Sequence, residues 1–328
     1  VEDIQLCTIP PHFRCAAHTF NLVATTDAEK ALKSSVPYAR ICRQAFSKCS
    51  DLWNKYSRST RSADIIRDTT CISLQVPTCT RWNSYYDAVA KIRSISNSNM
   101  SKLCTQLKLS NFSSQKLIFL DEYLKVMVHL AQDLDRLQGE SDCYMGILLP
   151  TILTATNRLK SEEPRLKVVK PLVKAILTGL ETRFGHYFHD KEFILATVTH
   201  PKFKLEWLPI DRREEVKRDF LGQIKQLRRQ DGLVDDEESQ LIDVDNDDYY
   251  NFNPPPIDTS KSEMEQYLLD PSRQLSILNN YPTVKKLFLH YNTALTSSAP
   301  VERLFSSGKL ILSALRNRLD PDGLRFHE

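Results

Sequence analysis

The clearest repeat of apolar positions runs from Gln115 to Leu137. Leu117, Leu120, Leu124, Met127, Ala131 and Leu134 recur at alternating intervals of three and four, which places them on one face of a helix. Phe119, Tyr123, Val126 and Leu130 widen that face beyond a two-stranded seam, so the helix belongs inside a bundle. Gly139 stands where such a helix can end. Helical spacing recurs from Cys15 to about Leu32, from Trp82 to Ile95, from Pro150 to Leu159 and from Pro171 to Phe184, where Pro171 suits the first helical position. Asp211 to Gln230 is amphipathic, with Val216, Phe220, Ile224 and Leu227 inward. Met264–Leu269, Leu275–Asn279 and Pro282–Tyr291 predict short helices, another opens at Ala299–Phe305, and Asp320-Pro321 marks a restart. Ile4–Ile9, stopped by Pro10-Pro11, and Ile72–Val76, stopped by Pro77, predict two short strands.

Charge divides the second half of the chain. The run Asp235–Glu238, followed by Asp243, Asp245, Asp247 and Asp248 and then Pro254-Pro255-Pro256, predicts a flexible connector. Its Asp-x-Asp-x-Asp spacing echoes a calcium loop. The sixth position is Asp248 where that loop needs glycine, and the twelfth is Pro254 where it needs glutamate, so calcium binding is not expected. A hydrophobic fraction of 41% over 328 residues, with 26% charged, indicates a folded chain and excludes a disordered one. A net charge of only +3 leaves nucleic-acid contact to a local patch. Lys217, Arg218, Lys225, Arg228 and Arg229 supply one on the exposed side of their helix, and the adjoining acids limit it to weak, nonspecific DNA binding.

The eight cysteines all lie in the first half, without a Cys-x-x-Cys pair, which favours reduced thiols in the cytosol or nucleus. No apolar run reaches the roughly 18 residues a membrane span needs, so no membrane partner is expected. Opening on Val1-Glu2-Asp3, with no signal-peptide pattern, the chain reads as a piece of a longer protein.

Four constellations carry candidate chemistry. Cys15 and His18 could share a metal ion, but zinc usually takes four ligands. A cysteine with a hydrogen-bonded histidine at a helix start is the simpler reading, and no metal is assigned. Thr80-Arg81-Trp82-Asn83-Ser84 can stack on a base and clamp a phosphate, or form a packed corner. Glu302-Arg303 opens a helix, and Arg316-Asn317-Arg318 precedes the last restart. Taken alone, Glu302 and Arg303 read as solvated or paired charges.

Together these segments resemble the hAT transposase superfamily and its domesticated, zinc-finger-linked descendants. The resemblance rests on Arg14–Leu22, Thr80–Ser84, Leu195–Lys204, Tyr281-Pro282, Ser297–Ser306 and Arg316–Leu319, in that order along the chain. It implies an α/β fold: an RNase H-like core interrupted by a large all-helical insertion, with a C-terminal helical dimerisation region. The implied division is a partial core over 1–83, the insertion over 84–195, a return to the core over 196–230, the acidic connector over 231–262 and the dimerisation region over 263–328. Glu302 corresponds to the family's third catalytic acid, and Trp82, Arg81, Cys15 and His18 to residues near its active site. Val284, Leu287, Phe288, Leu304, Phe305, Leu310, Leu315 and Leu319 are the expected core and dimerisation residues. His200 stands where the family usually carries aspartate. One carboxylate cannot hold the ion pair of two-metal strand transfer. The resemblance therefore implies a nuclear, transposase-derived scaffold that forms a homodimer and recruits chromatin or DNA-associated proteins, without catalysis or cofactor in this piece. The alternative is part of an active transposase, using magnesium or manganese in the full-length protein.

Overall fold

The computed structural model describes residues 14–78, 82–139, 143–232, 259–294 and 296–298. Among them the chain forms thirteen α-helices: α1 Ala16–Leu22, α2 Lys30–Ser34, α3 Val36–Arg58, α4 Thr60–Thr70, α5 Trp82–Arg93, α6 Asn97–Gln106, α7 Ser114–Leu137, α8 Leu148–Glu162, α9 Lys170–Phe184, α10 Lys191–Val198, α11 Ile210–Gln230, α12 Thr259–Leu269 and α13 Pro282–Asn292. Short 3₁₀ turns lie at 145–147, 163–165, 185–189 and 275–280, and a π-turn spans Val23–Asp27.

No β-strand or sheet occurs among the described residues. An RNase H-like core is built on a sheet, so the α/β expectation is corrected to an all-helical fold. The resemblance to the hAT superfamily is corrected with it, and so are both functions drawn from it, the nuclear transposase-derived scaffold and the DNA-cutting enzyme. The predicted strand at 72–76 shows why. That segment has no regular secondary structure, and no strand among the described residues pairs with it to make a ladder. Leu74 enters the core instead, and the Thr70 hydroxyl accepts a hydrogen bond from the Ile72 N–H at 3.2 Å. The predicted strand at 4–9, the connector at 235–256 and the helices expected from Ala299 onward lie outside the described residues.

α7 is the central helix, packing on α1, α3, α5 and α8. Phe119, Tyr123, Val126, Leu130, Leu134 and Leu137 are all buried on it, whereas Leu117 and Leu124 sit at the margin of the stripe. Glu122 on the same helix is also buried. Its carboxylate accepts the N–H groups of Lys167, Val168 and Val169 at 2.8, 2.8 and 3.1 Å, capping the start of α9 from a distance in sequence. Arg93 of α5 makes a bidentate pair with Asp121 of α7, at 2.7 and 3.0 Å.

α13 closes the other end of the core. Asn292, 3% exposed, accepts the Gly146 N–H at 2.7 Å and donates to the Ala196 carbonyl at 3.0 Å. A β-carbon at position 146 would stand 2.4 Å from that carbonyl oxygen, so the close approach requires glycine. No helix among the described residues is long and apolar enough to cross a membrane.

Candidate functional site

The π-turn at 23–27 lies between α1 and α2, and widened turns of this kind recur at functional sites. One side of it is anchored. Asp27 is buried and pairs with Lys30 at 2.6 Å and with Arg183 of α9. Burial alone would raise the Asp27 pKa. Hydrogen bonds from Arg183 and Lys30, with their charges, outweigh it and hold the carboxyl below its ordinary value. The other side, with Ala24, Thr25 and Ala28, faces a cleft.

The cleft has two lobes. The first, of about 420 Å³, is walled by Tyr38, Cys42 and Phe46 of α3, Tyr85 of α5, and Tyr123 and Met127 of α7. Its rings pack edge to face: Phe46 stands 5.3 Å from Tyr85 and 5.1 Å from Tyr123, at steep interplanar angles. Burial pushes the Cys42 thiol up to about 11 and drives the Tyr38 and Tyr85 hydroxyls well above their usual range, so this wall is neutral.

The second lobe, of about 470 Å³, is polar. Cys15 at the N-cap of α1, His18 of α1, Asn83 and Asp87 of α5, Asp135 of α7 and Ser298 line it. Thr296 ties α1 to the end of α7: its carbonyl accepts the Ala16 N–H at 2.9 Å and its hydroxyl donates to the Leu137 carbonyl at 3.1 Å. Asn83 Nδ2 donates to Asp135 Oδ1 at 2.8 Å, while Asn83 Oδ1 is buried with no hydrogen-bond partner among the described residues. Asp87 is largely exposed; partial desolvation and the neighbouring Asp135 charge both raise its pKa. Cys15 differs from the other thiols. Burial raises its pKa, but hydrogen bonds to Sγ from the Ser298 hydroxyl and N–H and from the His18 N–H, each 3.4 Å, bring it below the ordinary value. Asn21 and Thr78 line both lobes, so the two adjoin. Thr78 is itself pinned to α5, its N–H donating to Ser84 Oγ at 2.8 Å.

Of the residues singled out in the sequence, Cys15 and His18 meet in the polar lobe, but through the His18 backbone N–H and not its ring. Among the described residues no three His, Cys, Asp or Glu side chains gather as metal ligands. Trp82 is the first residue of α5; Arg81 lies outside the described residues. Glu302, Leu304, Phe305, Leu310, Leu315 and Leu319 also lie outside them. Val284, Leu287 and Phe288 are buried in the chain's own core. On α11, Lys217 pairs with Glu214 at 2.6 Å and Arg228 with Glu263 at 3.6 Å, which neutralises part of the basic patch; Arg218 and Arg229 are exposed, and Lys225 is half-buried.

Asp87, Asp135 and the aromatic wall were not recognised from sequence. Asn83 lies in the singled-out Thr80–Ser84 cluster and Tyr123 and Met127 in the α7 stripe, but only the fold brings them to one cleft. No protein-family model matches the chain, and no curated protein matches it significantly.

Proposed function

We propose that this chain is a helical binding module for a small amphipathic amine. The observation that carries the reading is that an aromatic lobe and a lobe lined by acceptors adjoin, with Asn21 and Thr78 in the wall of both. Each lobe lies within the range of roughly 300–1,000 Å³ common to small-molecule sites. The aromatic lobe suits a ring or short alkyl body. At about 25 cal/mol per Å², covering 100 Å² of it contributes roughly 2.5 kcal/mol. The polar lobe presents two carboxylates, an unpaired amide oxygen and a thiol with a depressed pKa, so a cationic hydrogen-bond donor complements it. The raised pKa of Asp87 adds a sign: an ammonium group beside it favours the ionised carboxylate, so binding strengthens as pH rises through that pKa.

The test compares 2-phenylethylamine with 2-phenylethanol, which keeps the ring and loses the charge. The amine binds with a sub-millimolar Kd, near −5 kcal/mol, and the alcohol at least tenfold more weakly. Equal affinity for the two, or no binding of the amine at millimolar concentration, defeats the proposal.

A further inference from the structure

A second cavity, of about 620 Å³, lies where the end of α7 meets α8 and the turn at 200–208. Three cations from three separate segments converge on it: Arg136 at the end of α7, Lys202 in the turn, and Arg273 ahead of the 3₁₀ turn at 275–280. No carboxylate lines it among the described residues. Arg273 is paired with Glu206 at 2.8 Å, but both side chains are more than 60% exposed, a weak arrangement that an anion can displace. Lys202 and Arg136 make no ion pair among the described residues.

The turn that carries Lys202 is held rigidly. Lys204 adopts a left-handed conformation, φ 46°, which is unfavourable for lysine and persists only where its surroundings fix it. Here its ammonium group donates to the Asp270 carbonyl and sits 4.9 Å over the Tyr267 ring, while Trp207 Nε1 donates to its carbonyl at 3.0 Å. His200, 5% exposed, accepts the Lys202 N–H at Nδ1, 3.2 Å away. Phe203 and Leu275 add an apolar wall beside the cations.

We infer that this cavity binds a small phosphate ester whose organic part carries an aromatic or apolar group. Guanidinium groups match phosphate oxygens in geometry and charge, and the lysine adds a third contact. The Phe203 and Leu275 wall takes the organic part. The site is distinct from the amine cleft: Arg136 and Gly139 face this cavity, whereas Leu134, Asp135 and Gln138 face the cleft.

The probe is ADP, with inorganic phosphate and adenosine as its two halves, titrated calorimetrically into the whole chain. ADP binds saturably, at least tenfold more tightly than either half. The variants Lys202→Glu and Arg273→Glu, both at exposed positions, each weaken ADP at least fivefold without moving the melting temperature, whereas Asp87→Asn leaves ADP binding unchanged. No saturable ADP binding at millimolar concentration, adenosine binding as tightly as ADP, or indifference to both charge reversals overturns the inference. Loss of ADP binding in Asp87→Asn would also overturn it, by placing the nucleotide in the cleft.

Discussion

Asn83 donates from Nδ2 to Asp135 Oδ1 at 2.8 Å, and its own carbonyl oxygen is buried without a partner among the described residues. An acceptor left in this state costs about 1–3 kcal/mol, which a bound donor recovers. Asn83→Ala removes that acceptor and releases Asp135. Amine affinity, measured by calorimetry, falls about tenfold, while thermal unfolding shifts by less than about 1 kcal/mol, because the lost bond and the lost penalty offset each other.

Asp133, 1% exposed on α7, also carries a buried oxygen without a partner among the described residues. Burial raises its pKa to about 6 against the opposing charges of Arg158 and Arg136. The folded state therefore holds a proton that the unfolded state gives up from the ordinary carboxylate range upward. Stability from this group is complete at low pH and is lost as pH rises through about 6. Asp133→Asn stabilises the chain at pH 7, by roughly 2–3 kcal/mol, and has little effect near pH 4. Denaturant melts at the two pH values check it; an equal gain at both contradicts the account.

The paired acid behaves in the opposite sense. Asp27 has a depressed pKa, so its contribution is present above the ordinary carboxylate range and lost as pH falls through the folded value. Arg183→Ala leaves Asp27 buried with Lys30 alone, and Lys30 is 61% exposed. The expected loss at pH 7 is roughly 3 kcal/mol, the lower end for breaking a buried pair. Urea titrations of the variant from pH 7 downward show the gap to wild type closing as Asp27 protonates.

Much of the helical plan is legible in the sequence, and the reason is local. α7, α9 and α11 announce themselves by apolar spacing, and their observed limits fall within a residue of those expected. α3 and α4 escaped because their inner faces are built from small or weakly apolar residues. Ala39, Cys42, Ala45 and Cys49 are buried on α3 without forming an aliphatic stripe. The helix expected over residues 15–32 breaks at the π-turn, which spacing alone does not reveal. Short alternation at 72–76 and scattered motif matches pointed to a sheet, and both signals were too local to test whether a partner strand exists. The cleft was illegible for a related reason. Asp87 and Asp135 are distant in sequence, and only the packing of α5 against α7 makes them neighbours.

The Gly146 clamp offers a purely steric test. An alanine β-carbon there would stand 2.4 Å from the Ala196 oxygen and 2.8 Å from Asn292 Oδ1, one of them backbone. Gly146→Ala destabilises by about 1–3 kcal/mol, as overpacking of a tight core does. A melting temperature equal to wild type would show that α10 and α13 yield more readily than their hydrogen bonds imply.

The acidic pair in the polar lobe is proposed to recognise an amine whose body lies against the α3–α5–α7 rings. Calorimetric titration of 2-phenylethylamine into wild type and into the double variant Asp87→Asn/Asp135→Asn tests it most directly. Both positions are exposed and the amides keep the shape of the acids, so the variant folds as wild type does. Wild type binds the amine with a sub-millimolar Kd and a negative heat-capacity change from ring burial, and the variant loses at least tenfold in affinity. Unchanged affinity in the variant would contradict it.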